Sequence, residues 1–253
     1  MRPYILAESN WNYLKDLKFE LAVLPWGSTE AHNYHLPYSS DIIESDLLSS
    51  ESARIAWEKG AKVIVLPTIP FGVNTGQSDI YLDINLNPST QYSILKDIVE
   101  VLNRQEIYKL IIFNSHGGND FKPFIRELGL KFPKMFICTS NWYQAIDRNN
   151  YFENSGDHAE EMETSLMLYF KPELVLPIDK WGEGKAKKNK IKSFNEDWLW
   201  VERKWSKISK DTGVGDPRLA TKEKGKKFFL AVTQKIGDVI YDISKANIEE
   251  LYE

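Results

Sequence analysis

The chain has 253 residues and is 42% hydrophobic, 27% charged and 13% aromatic, a composition that excludes disorder, collagen-like repeats and coiled coil. Its 32 basic and 36 acidic side chains leave a net charge of −4, so no basic field favours nucleic acid or an anionic membrane and the expected partner is a small molecule. The lone Cys138 excludes an internal disulfide and suggests a reducing compartment, the cytoplasm, and an N-terminal stretch broken by Glu8, Asn10 and Asn12 offers neither a signal-peptide core nor a membrane span.

In chain order, residues 20–24 predict a strand ending at Pro25, and residues 41–59 carry apolar side chains at helical spacing. A second strand follows at 62–66, a helix opens at Pro88, and further strands are expected at 110–113 and 134–138. Residues 121–130 and 159–170 read as helices, and 221 to roughly 251 as one long amphipathic helix. This alternation predicts one domain over 1–253, a three-layer α/β/α fold with a mostly parallel central sheet.

Two stretches, 68–87 and 176–216, are too long for plain connectors. In the first, Asn74, Thr75, Gly76 and Asp79 could meet substrate. The second carries Lys185, Lys187, Lys188, Lys190 and Lys192, then Trp198, Trp200 and Trp205. It reads foremost as a solvated basic loop beside an interface segment, with a lid over an anionic substrate as the rival.

The four histidines are not scattered. His32 and His35 follow the first strand, His116 follows the third, and His158 opens a carboxylate-rich helix start. Loops leaving the carboxyl ends of parallel strands are where such sheets bind ligands. Glu30 and His32, two apart, can share a metal in an extended loop; Asp41, at a helix start, can swing back and bridge two cations; His116 approaches beside Gly117 and Gly118. Carboxylates and neutral imidazoles without cysteine suit Zn²⁺, Mn²⁺ or Fe²⁺ in a catalytic site. Two such ions roughly 3.5–4 Å apart would bring the pKa of a shared water down towards about 7 and remove the need for a Ser or Cys nucleophile.

The motifs Leu24-Pro-Trp-Gly-Ser-Thr-Glu-Ala-His32, His35-Leu-Pro37, Asp41, Asn114-Ser-His-Gly-Gly-Asn119, Glu163-Thr-Ser-Leu166 and Gly213-Val-Gly-Asp-Pro-Arg-Leu-Ala-Thr221 with Lys224-Gly225 resemble the creatininase (creatinine amidohydrolase) family along nearly the whole chain. The resemblance implies an α/β fold, a two-metal centre, hydrolysis of amide carbon–nitrogen bonds and homo-oligomers, commonly hexamers. It assigns Glu30, Asp41 and His116 to one metal and His32 and Asp41 to the second, with Asp41 bridging. Creatininases proper have a glutamate where this chain has Gly118; Glu163 is the nearest substitute by motif, with Glu160 and then Glu161 as alternatives. They also carry a Trp-Asp pair where this chain has Asn154 and Ser155. Creatinine is therefore not the expected substrate, and the His-Gly-Gly-Asn version resembles formamide hydrolases of flavin and deazaflavin biosynthesis.

The expected enzyme is thus a metal-dependent amidohydrolase acting on an amide, formamide or cyclic amide through a metal-activated water. His158 is the preferred proton donor to the leaving amine because imidazole titrates near neutrality. His35 is expected to hold Glu30 or its loop, Asn119 to support the site or meet substrate, and Trp142 to line the pocket. The rival is a metal-stabilised binding or scaffold protein without turnover, which would close its coordination sites.

Overall fold

A computed structural model describes residues 2–154, 156–196 and 198–252. Its centre is a four-stranded, fully parallel sheet of β1 (Leu21–Trp26), β2 (Val63–Val65), β3 (Lys109–Asn114) and β4 (Phe136–Asn141), in the spatial order β2-β1-β3-β4. A short turn of helix, α1 (Trp11–Leu14), precedes the sheet. Side chains alternate across β1. Leu21 and Val23 face one core with Leu48, Leu166, Phe228 and Val232, whereas Ala22 and Leu24 face another with Leu95, Val99 and Leu128. The first core is covered by α2 (Ser40–Glu58), α5 (Glu161–Phe170) and α7 (Lys222–Lys245), the second by α3 (Pro88–Arg104) and α4 (Lys122–Lys131). Two-sided burial explains why the strands read as continuous apolar runs.

The buried face of α2 is built from Ser45, Ser49, Ser52, Ala53 and Ala56, small enough for α7 to pack closely across it. Thr221 caps α7 by accepting from Lys224 N, and Pro88 opens α3 at its first turn. No helix among the described residues is long and apolar enough to cross a membrane.

Several boundaries differ from expectation: β1 runs through Pro25 to Trp26, which still pair with Phe113 and Asn114 of β3, and three others have a visible cause. β4 runs on to Asn141 because its polar end still pairs in register with β3, Thr139 with Ile112 and Asn141 with Asn114. α5 begins at Glu161 rather than 159, because Ala159 takes a left-handed φ of 50° and Glu160 becomes the cap. α7 stops at Lys245, where Lys109 Nζ donates to the carbonyls of Ser244 and Ala246. In the spatial order, β2 lies on one side of β1 and β3 on the other, so the chain reverses its winding between β1 and β3. The crevice above their carboxyl ends is where open α/β sheets bind ligands.

Candidate metal centre

That crevice gathers six of the predicted side chains. Glu30 and His32 come from the loop after β1, Asp41 from the first turn of α2 and His116 from the loop after β3. His158 and Glu163 approach from the start of α5. Five of the six are buried, and Glu163 is partly so. Ligand atoms of Glu30, Asp41 and His116 lie within 4.8 Å of one another, as do those of His32, Asp41 and Glu163, and those of Glu30, His32 and His158. Asp41 belongs to the first two groups. Its Oδ1 lies 3.0 Å from His32 Nε2 and its Oδ2 3.1 Å from His116 Nδ1. Glu30 Oε1 lies 2.7 Å from the same His116 Nδ1.

Each of the three imidazoles has its other nitrogen tied to a backbone carbonyl. His32 Nδ1 donates to Glu30 O at 3.1 Å, His116 Nε2 to Val73 O at 3.0 Å and His158 Nε2 to Ala31 O at 2.8 Å. A carbonyl only accepts, so each contact places a proton on that ring nitrogen; for His32 and His116 this leaves the opposite nitrogen facing the carboxylates and free to ligate. The carbonyl of Val73 is itself held in place. Asn119 Oδ1 accepts from Val73 N, while Asn119 Nδ2 donates to Asn114 Oδ1. Gly118 is required here, since a Cβ would lie 2.3 Å from Val73 O and 2.5 Å from His116 Nε2.

Burial disfavours charge on His32 and His116, yet the carboxylates of Asp41 and Glu30 raise both well above the ordinary imidazole value. For Asp41, burial opposes ionisation and the imidazoles overcome it, leaving its pKa lowered. Glu163 goes the other way: burial, then the neighbouring carboxylates, push it up to about 8 although His32 pulls it down. Burial also lowers His158. Asp41 Oδ2, buried, accepts no hydrogen bond among the described residues. Several buried carboxylates facing imidazoles of fixed tautomer form a donor set that suits divalent cations.

The helical alternatives to Glu163 are engaged elsewhere. Glu160 caps α5 through Met162 N and faces Arg148 at 3.6 Å, and Glu161 accepts from the backbone of Glu153 and Asn154 and from Lys224 Nζ. His35 does not hold Glu30. Its Nε2 meets Thr164 Oγ1 at 2.9 Å and its ring stacks on Trp181, so it steadies the helix that carries Glu163. Trp142 is not a pocket wall but a core side chain, 1% exposed, donating to Ser115 Oγ at 2.7 Å. Of the Gly-Gly loop, Gly117, Gly118 and Asn119 line the cavity with Asp120 after them, and Ser155 lies outside the described residues.

The ligands open into a cavity of about 1000 Å³. Asn74, Thr75, Gly76 and Gln77 line it, and Gln77 Nε2 donates to Glu30 Oε2; Asp79 instead meets Ser206. Trp200, Glu202, Arg203 and Trp205 of the 176–216 stretch form its far wall, whereas the lysines at 185–192 do not line it. Reading the sequence missed Glu44, fully buried one turn beyond Asp41 with neither oxygen hydrogen-bonded among the described residues. Burial first, then Glu163 and Asp41, raise its pKa well above the usual carboxylate value.

The family profile described as Creatininase: Creatinine amidohydrolase matches residues 7–240. The chain belongs to the creatininase family. A crystal structure of a candidate creatinine amidohydrolase from Bacteroides fragilis NCTC 9343 is 38% identical, covers 100% of both chains and superposes with a TM-score of 0.93. At lower identity the fold still matches. A glutamate-to-glutamine mutant creatininase complexed with creatine is 20% identical over 96% of this chain and 99% of its own, with a TM-score of 0.78. A manganese creatininase gives 19%, 96%, 99% and 0.78. No curated protein matches significantly.

Proposed function

We propose that this creatininase-family chain is a metal-dependent hydrolase that cleaves the carbon–nitrogen bond of a small amide, formamide or cyclic amide other than creatinine, using two divalent cations. The observation that carries the reading is Asp41, whose two oxygens face different imidazoles at 3.0 and 3.1 Å and so serve two donor sets at once. Family membership supports it, as do two structural neighbours at 19% identity, a manganese creatininase and a Zn-Zn form of a mutant creatininase.

Glu30, Asp41 and His116 would hold one ion, and His32, Asp41 and Glu163 the other. When bound, the ions would supply polarisation of a carbonyl and a water of lowered pKa. The chain's own groups do the rest. The carbonyls of Glu30 and Val73 keep His32 and His116 in the ligating tautomer, and Gln77 orients Glu30. His158, with Nε2 pinned to Ala31 O, carries at Nδ1 the proton that the leaving nitrogen takes as the bond breaks. The cavity, about 1000 Å³, is at the upper end of small-molecule sites. The absence of a side chain at Gly118, where the resemblance leads one to expect a glutamate in creatininases proper, supports a substrate other than creatinine.

The test is to strip the protein, reload it with Zn²⁺, Mn²⁺ or Fe²⁺, and measure bound metal together with amine release from formamides, cyclic amides and creatinine. Two ions per chain and turnover of formamides or cyclic amides are expected. Metal-loaded protein that hydrolyses none of them, or that prefers creatinine, refutes the reading.

A further inference from the structure

The metal ligands leave one aromatic contact unexplained. Trp205 begins the short helix α6 (Trp205–Ile208) and is only 9% exposed, although Trp198 and Trp200 on the same stretch are 69% and 79% exposed. Its ring lies edge-on to the imidazole of His158, centroids 4.8 Å apart at 64°, while His32 lies 4.2 Å away from that imidazole. The His158 ring thus touches both His32 and Trp205.

Trp205 is itself fixed from two sides. The Arg203 guanidinium covers its ring at 4.8 Å and donates through Nη1 to Asp157 Oδ2 at 2.5 Å, on the residue just before His158. On its other side, Gly76 packs so tightly that a Cβ would lie 2.2 Å from Arg203 O and 3.2 Å from Trp205 Cδ1, and Ser206 Oγ donates to Asp79. The backbone of His158 pairs with Val214, whose N–H donates to His158 O at 2.8 Å. That pairing fixes the main chain of the turn but not the rotation of the ring. Among the described residues, the hydrogen bond that holds the imidazole is Nε2 to Ala31 O, and one bond at a ring edge leaves the plane free to tilt.

We propose that Trp205, clamped by Arg203 on Asp157, is the positioning residue that sets the plane of the His158 imidazole, keeping Nδ1 on the cavity while Nε2 stays on Ala31 O. The activity arm of its test rests on the hydrolase reading; the spectroscopic arm does not. With four histidines in the chain, magic-angle-spinning NMR of ¹⁵N-histidine-labelled protein resolves each ring, and a His158→Gln sample identifies its signal. In Trp205→Ala the His158 resonances should shift and broaden while those of His35 and His116 stay in place, with bound metal unchanged. Activity should fall about 10- to 100-fold in kcat, the usual penalty for a misplaced group, with KM within about threefold. Trp205→Phe should restore both signals and rate, and Arg203→Gln, which frees the clamp but keeps the tryptophan, should fall between.

Unaltered His158 signals in Trp205→Ala and Arg203→Gln overturn the proposal, as does a rise in KM at constant kcat, which would make Trp205 a substrate wall. If Trp205→Ala does not fold, Arg203→Gln and Trp205→Phe decide on the same readouts. If no amide is hydrolysed by the wild type, the hydrolase reading fails and the spectra alone decide this one.

Discussion

The substitution Gly118→Ala tests the link between backbone geometry and metal affinity. The new methyl would lie 2.3 Å from Val73 O, 2.5 Å from His116 Nε2 and 3.2 Å from His116 Cδ2, on top of the hydrogen bond that orients the ring. Neither neighbour can yield easily. Val73 is held through its N–H by Asn119 Oδ1 at 3.1 Å, and His116 is held on its other side by Glu30 and Asp41. Relief therefore means breaking the contact between His116 and Val73. Losing such an orienting partner costs about 10–100-fold in metal affinity, about 1.4–2.7 kcal/mol, while overpacking lowers stability by about 1–3 kcal/mol. Competition with a chromophoric chelator should show one ion weakened by that factor. The other, held by His32 and Glu163, should stay within a few-fold. Both dissociation constants within about twofold of wild type would refute the reasoning, and Gly118→Glu should do worse than Gly118→Ala rather than gain a ligand.

Asp41→Ala should remove most of both ions, measured as metal per chain by elemental analysis, because each donor set loses its shared carboxylate. His158→Ala should leave metal content near wild type and lower turnover by roughly 10²–10⁴-fold, whereas Glu163→Ala should lose metal and activity together. Chelation should lower the thermal midpoint, since ions at about 1,000 times their dissociation constant stabilise the fold by about 4 kcal/mol; calorimetry with and without chelator reads this directly. His35 supplies a pH dependence. Burial first, then the charge of His32, pushes its pKa down to about 4 from 6.5, so its contribution is complete above pH 6.5 and is lost as pH falls through 4, about 3 kcal/mol in all. Denaturant midpoints between about pH 7 and about pH 4.5 should fall more steeply for wild type than for His35→Gln.

The sheet and its helices were legible in the sequence because strands buried on both faces leave unbroken apolar runs and helices leave stripes. Boundaries were less legible. The polar end of β4, Thr139 to Asn141, is held by backbone pairing that no side-chain pattern records. The side chains that converge on the crevice were legible through their residue types and the loops that bear them. What orients them was not. The carbonyls of Glu30, Ala31 and Val73 fix the three imidazoles, and any residue supplies a carbonyl. Glu44 was missed because a glutamate on a helix ordinarily reads as solvent-facing, and only the packing of α2 shows it buried. Trp205 read as part of an amphipathic surface because its partners, His158 and Arg203, meet it only in the folded chain.

The candidate ligands stand on the carboxyl ends of β1 and β3 and the first turns of α2 and α5, whereas Trp200, Glu202, Arg203 and Trp205 all belong to the one connection between α5 and α7. The candidate ligands and the far wall of the cavity therefore lie on separate stretches of the chain. A contiguous exchange within residues 176–216 would rebuild the far wall of the cavity without altering a strand or a ligand. Diversification of this scaffold can proceed by recombining a single cassette, provided the incoming stretch brings its own side chain to rest against His158.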